Sequence, residues 1–150
     1  MHYEAYCFTS NSENTRFQFQ SVGKRGVFEK VIFITAMSDD IYNLALVDYN
    51  VETEEYNDIS VTDNGDMPEV LATVLKAVTI FLNINPTKTI YFEGSSPART
   101  RLYQIAISKI YNYDESEFLI QGSKGENWSI FEPNINFESF LIKKKRNLNY

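Results

Sequence analysis

The residues best suited to chemistry lie in one short segment from Glu93 to Arg101, with the sequence EGSSPARTR. A glycine and two serines before a proline favour a tight turn into the start of a helix. The first N–H groups of a helix have no partner within the helix, and they attract anions. Two arginines in the first helical turn oppose the helix dipole, and a bound anion would resolve that conflict. The segment therefore predicts an anion-binding turn between a strand and a helix.

Several side chains of this turn and its surroundings could contact a ligand. The helical period places Arg99 on the stripe that faces the sheet and Arg101 on the side away from it. The candidate ligand-binding residues are Ser95, Ser96, Arg99, Arg101 and Tyr103, with Asp48 and Glu93 as possible supporting carboxylates. In the structural alternative, Ser96 is an ordinary N-cap and Arg99 closes on Asp48 or Glu93 as an ion pair.

The residues that most enzymes use are nearly absent elsewhere. The chain has one histidine, His2, and one cysteine, Cys7. A Ser-His-Asp triad would depend on the second residue of the chain, and neither a disulfide within the chain nor a Cys/His zinc site can form. The turn lacks the Gly-Lys-Ser/Thr of a phosphate loop, and the acids around Gly65 lack the spacing of a calcium loop. We therefore predict no catalytic residues, no metal and no cofactor.

These observations favour a small binding or interaction module that holds a small anionic ligand at the turn. One alternative is an enzyme that acts on a phosphorylated or carboxylated small molecule, with Tyr103 or Asp48 transferring the proton and Ser95 as a distant nucleophile candidate. Another alternative, suggested only by the small acidic chain, is a regulatory partner in a toxin–antitoxin or defence system.

Length and charge limit the partners further. The 150 residues suit a single domain, and their net charge of −6 repels a phosphate backbone, so we expect no nucleic acid as a partner. Four basic residues from Lys143 to Arg146 predict a basic C-terminal tail at about 143–150. The longest unbroken apolar stretches, such as 31–34 and 44–47, have four residues and are far too short for a membrane span, and the start shows no targeting pattern. We expect a cytoplasmic protein.

The elements that must position the turn follow from periodicity. Short β-branched and aromatic runs separated by turn residues predict strands at 3–8, 16–20, 27–35, 42–49, 58–61, 89–93, 118–121, 128–131 and 137–142. An apolar stripe around Leu71, Leu75 and Phe81 predicts a first helix, with a capping box of Asp66 and Glu69 at its start and Asn85-Pro86 at its end. A second helix runs from the serine turn to about Tyr111.

The resulting fold class is α+β. We expect a largely antiparallel sheet of about six to eight strands with two helices packed on one face. Aromatic residues on the other face need a cover, which a barrel-like sheet or a homodimer would supply.

The sequence also resembles an uncharacterised family found mostly in Bacteroidetes and classed as a domain of unknown function. The resemblance covers most of the chain and rests on the stretches IYNLAL at 41–46, DNGD at 63–66, VLATV at 70–74 and GSSPARTRLY at 94–103. The last stretch matches a GS[ST]PARTRLY-type motif. The resemblance implies no activity, but it draws attention to the same turn.

Overall fold

The computed structural model describes residues 3–57 and 64–145, and within them nine strands and two helices. The strands are β1 (Phe8–Ser10), β2 (Arg16–Gly23), β3 (Gly26–Ala36), β4 (Ile41–Asn50), β5 (Glu55–Asn57), β6 (Thr89–Phe92), β7 (Phe118–Lys124), β8 (Asn127–Ile130) and β9 (Ser139–Lys144). The helices are α1 (Met67–Ile84) and α2 (Pro97–Ile110). The predicted α+β class is confirmed.

One sheet contains all nine strands. Eight follow the order β1-β2-β3-β4-β6-β9-β7-β8, and β5 pairs with the end of β4 that does not pair with β6. Every neighbouring pair is antiparallel except β4 and β6. The sheet stays open, so the barrel-like alternative is wrong. The last strand, β9, lies between β6 and β7, and this placement brings the segment before β9 to the turn after β6.

Strict alternation along the strands divides the sheet into two faces. One face carries the buried side chains that pack against the helices, and Phe17 and Phe19 both lie there as predicted. The opposite face buries Val31 and Val47 on β3 and β4, and it carries half-buried apolar side chains across five strands. These are Phe33, Ala45, Tyr91, Leu141 and Leu119, from β3, β4, β6, β9 and β7 in turn.

Helix α1 is the central core element. Nine of its 18 residues are buried, which explains why it is also the one helix in the described part of the chain long and apolar enough to cross a membrane. Its buried surface is wider than the predicted stripe, because Thr73 is fully buried and its hydroxyl accepts a hydrogen bond from the Tyr6 N–H at 2.8 Å. Leu75, in contrast, is only half-buried. The helix ends at Asn85 as predicted.

The predicted capping box at the start of α1 is wrong. The carboxylate of Asp66 makes no hydrogen bond to the first helical turn. It accepts hydrogen bonds from the hydroxyls of Tyr6 and Ser21, both at 2.6 Å. The residue is 6% exposed and ties the N-terminal segment and β2 to the start of the helix.

The N-terminal segment and the C-terminal run both differ from the prediction. The first strand covers only 8–10, because the residues before it bond to α1 through Tyr6. The predicted strand at 58–61 lies outside the described residues. The predicted basic tail is wrong at its start, since Lys143 and Lys144 belong to β9 in the middle of the sheet.

Candidate functional site

The serine turn joins β6 to α2 as the sequence predicts. Ser96 adopts an extended backbone, and its Oγ accepts a hydrogen bond from the Arg99 N–H at 3.2 Å. Pro97 occupies the first turn of the helix, where its missing N–H costs nothing. Ser96 is therefore the N-cap of α2, as in the structural alternative.

Gly94 holds the turn tightly against the first turn of α2. Its N–H donates to the Thr100 hydroxyl at 3.0 Å, and the same hydroxyl donates to the Ser96 carbonyl at 3.1 Å. A Cβ at position 94 would lie 2.6 Å from the Thr100 nitrogen and 2.8 Å from the Arg99 carbonyl carbon. Only glycine allows this approach, because backbone atoms cannot move aside as a flexible side chain can.

A cavity of about 650 Å³ opens beside this turn. Its walls are the turn itself, the first turn of α2 and the segment that leads into β9. The polar residues on these walls are Glu93, Ser95, Ser96, Thr100, Arg101, Asn136 and Glu138. The volume suits a small molecule.

Two hydrogen bonds hold the polar walls in place. The Arg101 guanidinium donates to the Asn136 side-chain oxygen at 2.5 Å, which links α2 to the segment before β9. The Glu138 carboxylate accepts from the Gly125 N–H at 2.5 Å, which links that segment to the β7–β8 hairpin. The cavity thus presents a fixed guanidinium near the N-terminus of a helix, with carboxylates from Glu93 and Glu138 on the same walls.

The structure separates Arg99 from this cavity. Arg99 is half-buried and does not line the walls, whereas Arg101 is exposed and does, so the two arginines point apart as the helical period predicts. Within the described residues Arg99 forms no ion pair, so the pairing with Asp48 or Glu93 in the structural alternative is wrong.

Tyr103 lies in the core rather than at the cavity. It is 2% exposed, and its ring stacks on Phe92 with centroids 4.9 Å apart. Burial raises the pKa of Tyr103 to about 12; the charge of Arg99 opposes the rise and that of Asp48 adds to it. The phenol is therefore protonated at neutral pH and faces the helix–sheet interface.

Asp48 belongs to a buried ion pair that the sequence analysis missed. Its carboxylate lies 2.5 Å from the Lys30 ammonium, and the Lys30 side chain is 0% exposed. The sequence does indicate that Lys30 is buried, because alternation along β3 places it on the same inward face as Ile32 and Ile34. Asp48 thus supports the sheet rather than the cavity.

Asn136 and Glu138 were also missed, and no local pattern could have found them. They reach the cavity because β9 pairs with β6, a contact between strands far apart in the sequence. Among the described residues, no group of three or more His, Cys, Asp or Glu side chains is arranged to hold a metal ion.

Comparison with known proteins places the chain in a family. Neither the curated proteins nor the solved structures include a match. A family model described as a family of unknown function, DUF6934, matches residues 2–145, which is nearly the whole chain. This match agrees with the resemblance to a domain of unknown function. The chain therefore belongs to the DUF6934 family of unknown function.

Proposed function

We propose that this chain is a small cytoplasmic binding module whose cavity beside the β6–α2 turn holds the anionic group of a small molecule. The observation that carries the proposal is the Arg101 guanidinium on the cavity wall, where it donates to the Asn136 side-chain oxygen at 2.5 Å. A positioned guanidinium can bind a carboxylate or phosphate through two parallel hydrogen bonds. The helix N-terminus adds a favourable field for the same charge. The exposed thiol of Cys7, the one cysteine of the sequence, fits a reducing compartment and so agrees with a cytoplasmic location.

The two carboxylates narrow the ligand class. Glu93 and Glu138 line the same cavity as Arg101, so a ligand that carries only negative charge meets repulsion there. A molecule that combines a carboxylate or phosphate with an amine or hydroxyl groups can pair with Arg101 through the first group and with the two glutamates through the second. O-phosphoserine has this combination and is a suitable probe.

The enzyme alternative receives less support. Tyr103 and Asp48, its two proton-transfer groups, do not line the cavity. Tyr103 is stacked in the core, and Asp48 is paired with Lys30. Ser95 does line the cavity, and we propose that it contributes a hydrogen bond to the ligand.

Arg101→Met tests the proposal by removing the guanidinium while keeping much of the side-chain volume. We expect O-phosphoserine, or another member of a panel of small phosphates and carboxylates, to raise the melting temperature of the parent protein. The variant should lose this shift, because it lacks the anion-binding group.

Arg25→Met is the matched control, since Arg25 is exposed at the β2–β3 hairpin and lies outside the cavity. It should respond to the ligand as the parent does. A panel that stabilises none of the proteins, or a shift that survives in Arg101→Met, would contradict the proposal.

We further propose that the module forms a homodimer through the sheet face opposite the helices. That face carries Phe33, Tyr91 and Leu141 in half-buried positions on β3, β6 and β9, and neither helix covers it. Apolar patches of this kind are typical of contact surfaces. Light scattering should give a mass near twice 17.4 kDa, and Tyr91→Glu should restore the monomer mass. A parent protein that stays at 17.4 kDa at high concentration excludes this dimer.

A further inference from the structure

Four lysines line a second groove at the opposite end of the β6–β9 pair from the cavity. They are Lys88, Lys143, Lys144 and Lys145, and we call the groove that they share with Thr87 and Tyr113 the lysine groove. Its volume is about 620 Å³. The chain carries 14 basic and 20 acidic residues, yet in the described part of the chain no aspartate or glutamate lines this groove.

The fold brings these four residues to one end of the β6–β9 pair. Lys143 lies on β9 between Thr89 of β6 and Leu119 of β7, and its side chain is exposed. Lys144 and Lys145 follow it, and Lys88 immediately precedes β6. The grouping depends on the central position of β9, because a free tail would spread the same charges through solvent.

Most of the partners of these lysines are neutral. Lys144 donates to the Asn83 side-chain oxygen at 3.0 Å, and Lys145 donates to the Tyr113 carbonyl and lies 4.1 Å from the centre of its ring. Lys88 donates to the Asp39 carbonyl, and its nearest carboxylate, Asp40, is 3.7 Å away and 80% exposed. Within the described residues, the Lys143 side chain makes no hydrogen bond or ion pair. Lys144 thus turns its ammonium to α1, whereas no aspartate or glutamate among the described residues lines the groove to balance the charges of Lys88, Lys143 and Lys145.

We propose that the lysine groove binds a compact polyphosphate, a ligand with two or more linked phosphate groups. Lysines are flexible point charges that suit phosphate oxygens. The volume limits the ligand to a small molecule, and a long polyanion would extend from the groove over a chain whose net charge is −6. Tyr113 is the one aromatic side chain among the groove's described residues, and Lys145 already stacks on it. The groove thus recognises charge rather than a nucleobase.

The test is a calorimetric titration of the whole protein with sodium tripolyphosphate at low ionic strength. We expect one site whose affinity falls as salt is added, because paired charges near the surface are screened. Lys143→Gln should weaken binding about tenfold, since one charged hydrogen bond is lost. Lys143 is exposed, so this change leaves the fold intact.

Two control variants make the result specific. Lys109→Gln removes the same charge from an exposed position on α2 and should change the affinity by less than about twofold. Arg101→Met should bind tripolyphosphate as the parent does, which separates this groove from the cavity at the other end of the strands. The proposal is overturned if tripolyphosphate does not bind, if Lys143→Gln binds it like the parent, or if a single-stranded oligonucleotide binds more tightly than tripolyphosphate.

Discussion

Asp48→Asn should lower the free energy of unfolding by about 3–5 kcal/mol, the largest loss that we expect from a single polar substitution. The Lys30 ammonium is 0% exposed and lies 2.5 Å from the Asp48 carboxylate. The amide keeps the shape of the side chain but removes its negative charge, so the buried ammonium loses that attraction. Chemical denaturation followed by tryptophan fluorescence measures the loss through Trp128.

Asp40→Asn is the matched control for this substitution. Asp40 also faces a lysine, Lys88, but at 3.7 Å and with a side chain that is 80% exposed. Its loss should stay within about 1 kcal/mol, because exposed pairs contribute little. Equal losses in the two variants would show that burial does not strengthen the Lys30–Asp48 pair.

Gly94→Ala should damage both the stability and the site. The added Cβ would lie 2.6 Å from the Thr100 nitrogen, so the turn must move away from the start of α2. Overpacking of this kind costs about 1–3 kcal/mol. The movement would also displace Glu93 and Ser95 from the cavity walls, so we expect the variant to lose the thermal shift caused by ligand.

Ser95→Ala separates the steric effect from simple loss of a polar group in the same turn. Ser95 is exposed, so its unfolding free energy should change by less than about 0.5 kcal/mol. If Gly94→Ala melts at the temperature of the parent protein, the close contact between the turn and α2 does not constrain the backbone.

Local chemistry predicted the parts of the fold that depend on neighbouring residues. The Ser96 N-cap, the alternation around Phe17 and Phe19, and the glycine hairpin between β2 and β3 all follow from short-range rules. The same kind of rule wrongly predicts a capping box at Asp66, because the hydroxyls of Tyr6 and Ser21 bind its carboxylate instead. Neither competitor is visible from the residues next to Asp66.

Pairing between strands that are far apart in the sequence determines the features of the fold that the sequence patterns do not predict. The insertion of β9 between β6 and β7 brings Asn136 to Arg101 and turns a predicted basic tail into part of the lysine groove. A one-dimensional pattern specifies that a strand exists but not which strand lies beside it. Half of the cavity could therefore be predicted, namely the serine turn with Arg101, while the wall formed by 136–138 could not.

The most direct test of the binding proposal is an amide chemical-shift map of the ¹⁵N-labelled protein titrated with the most stabilising ligand of the panel. We predict that the largest shifts fall on Gly94, Ser95 and Arg101, on one side of the cavity, and on Asn136 and Glu138 on the other. The same titration of Arg101→Met should leave these amides unshifted. Shifts that avoid the cavity and gather elsewhere, or that persist in Arg101→Met, would contradict the account.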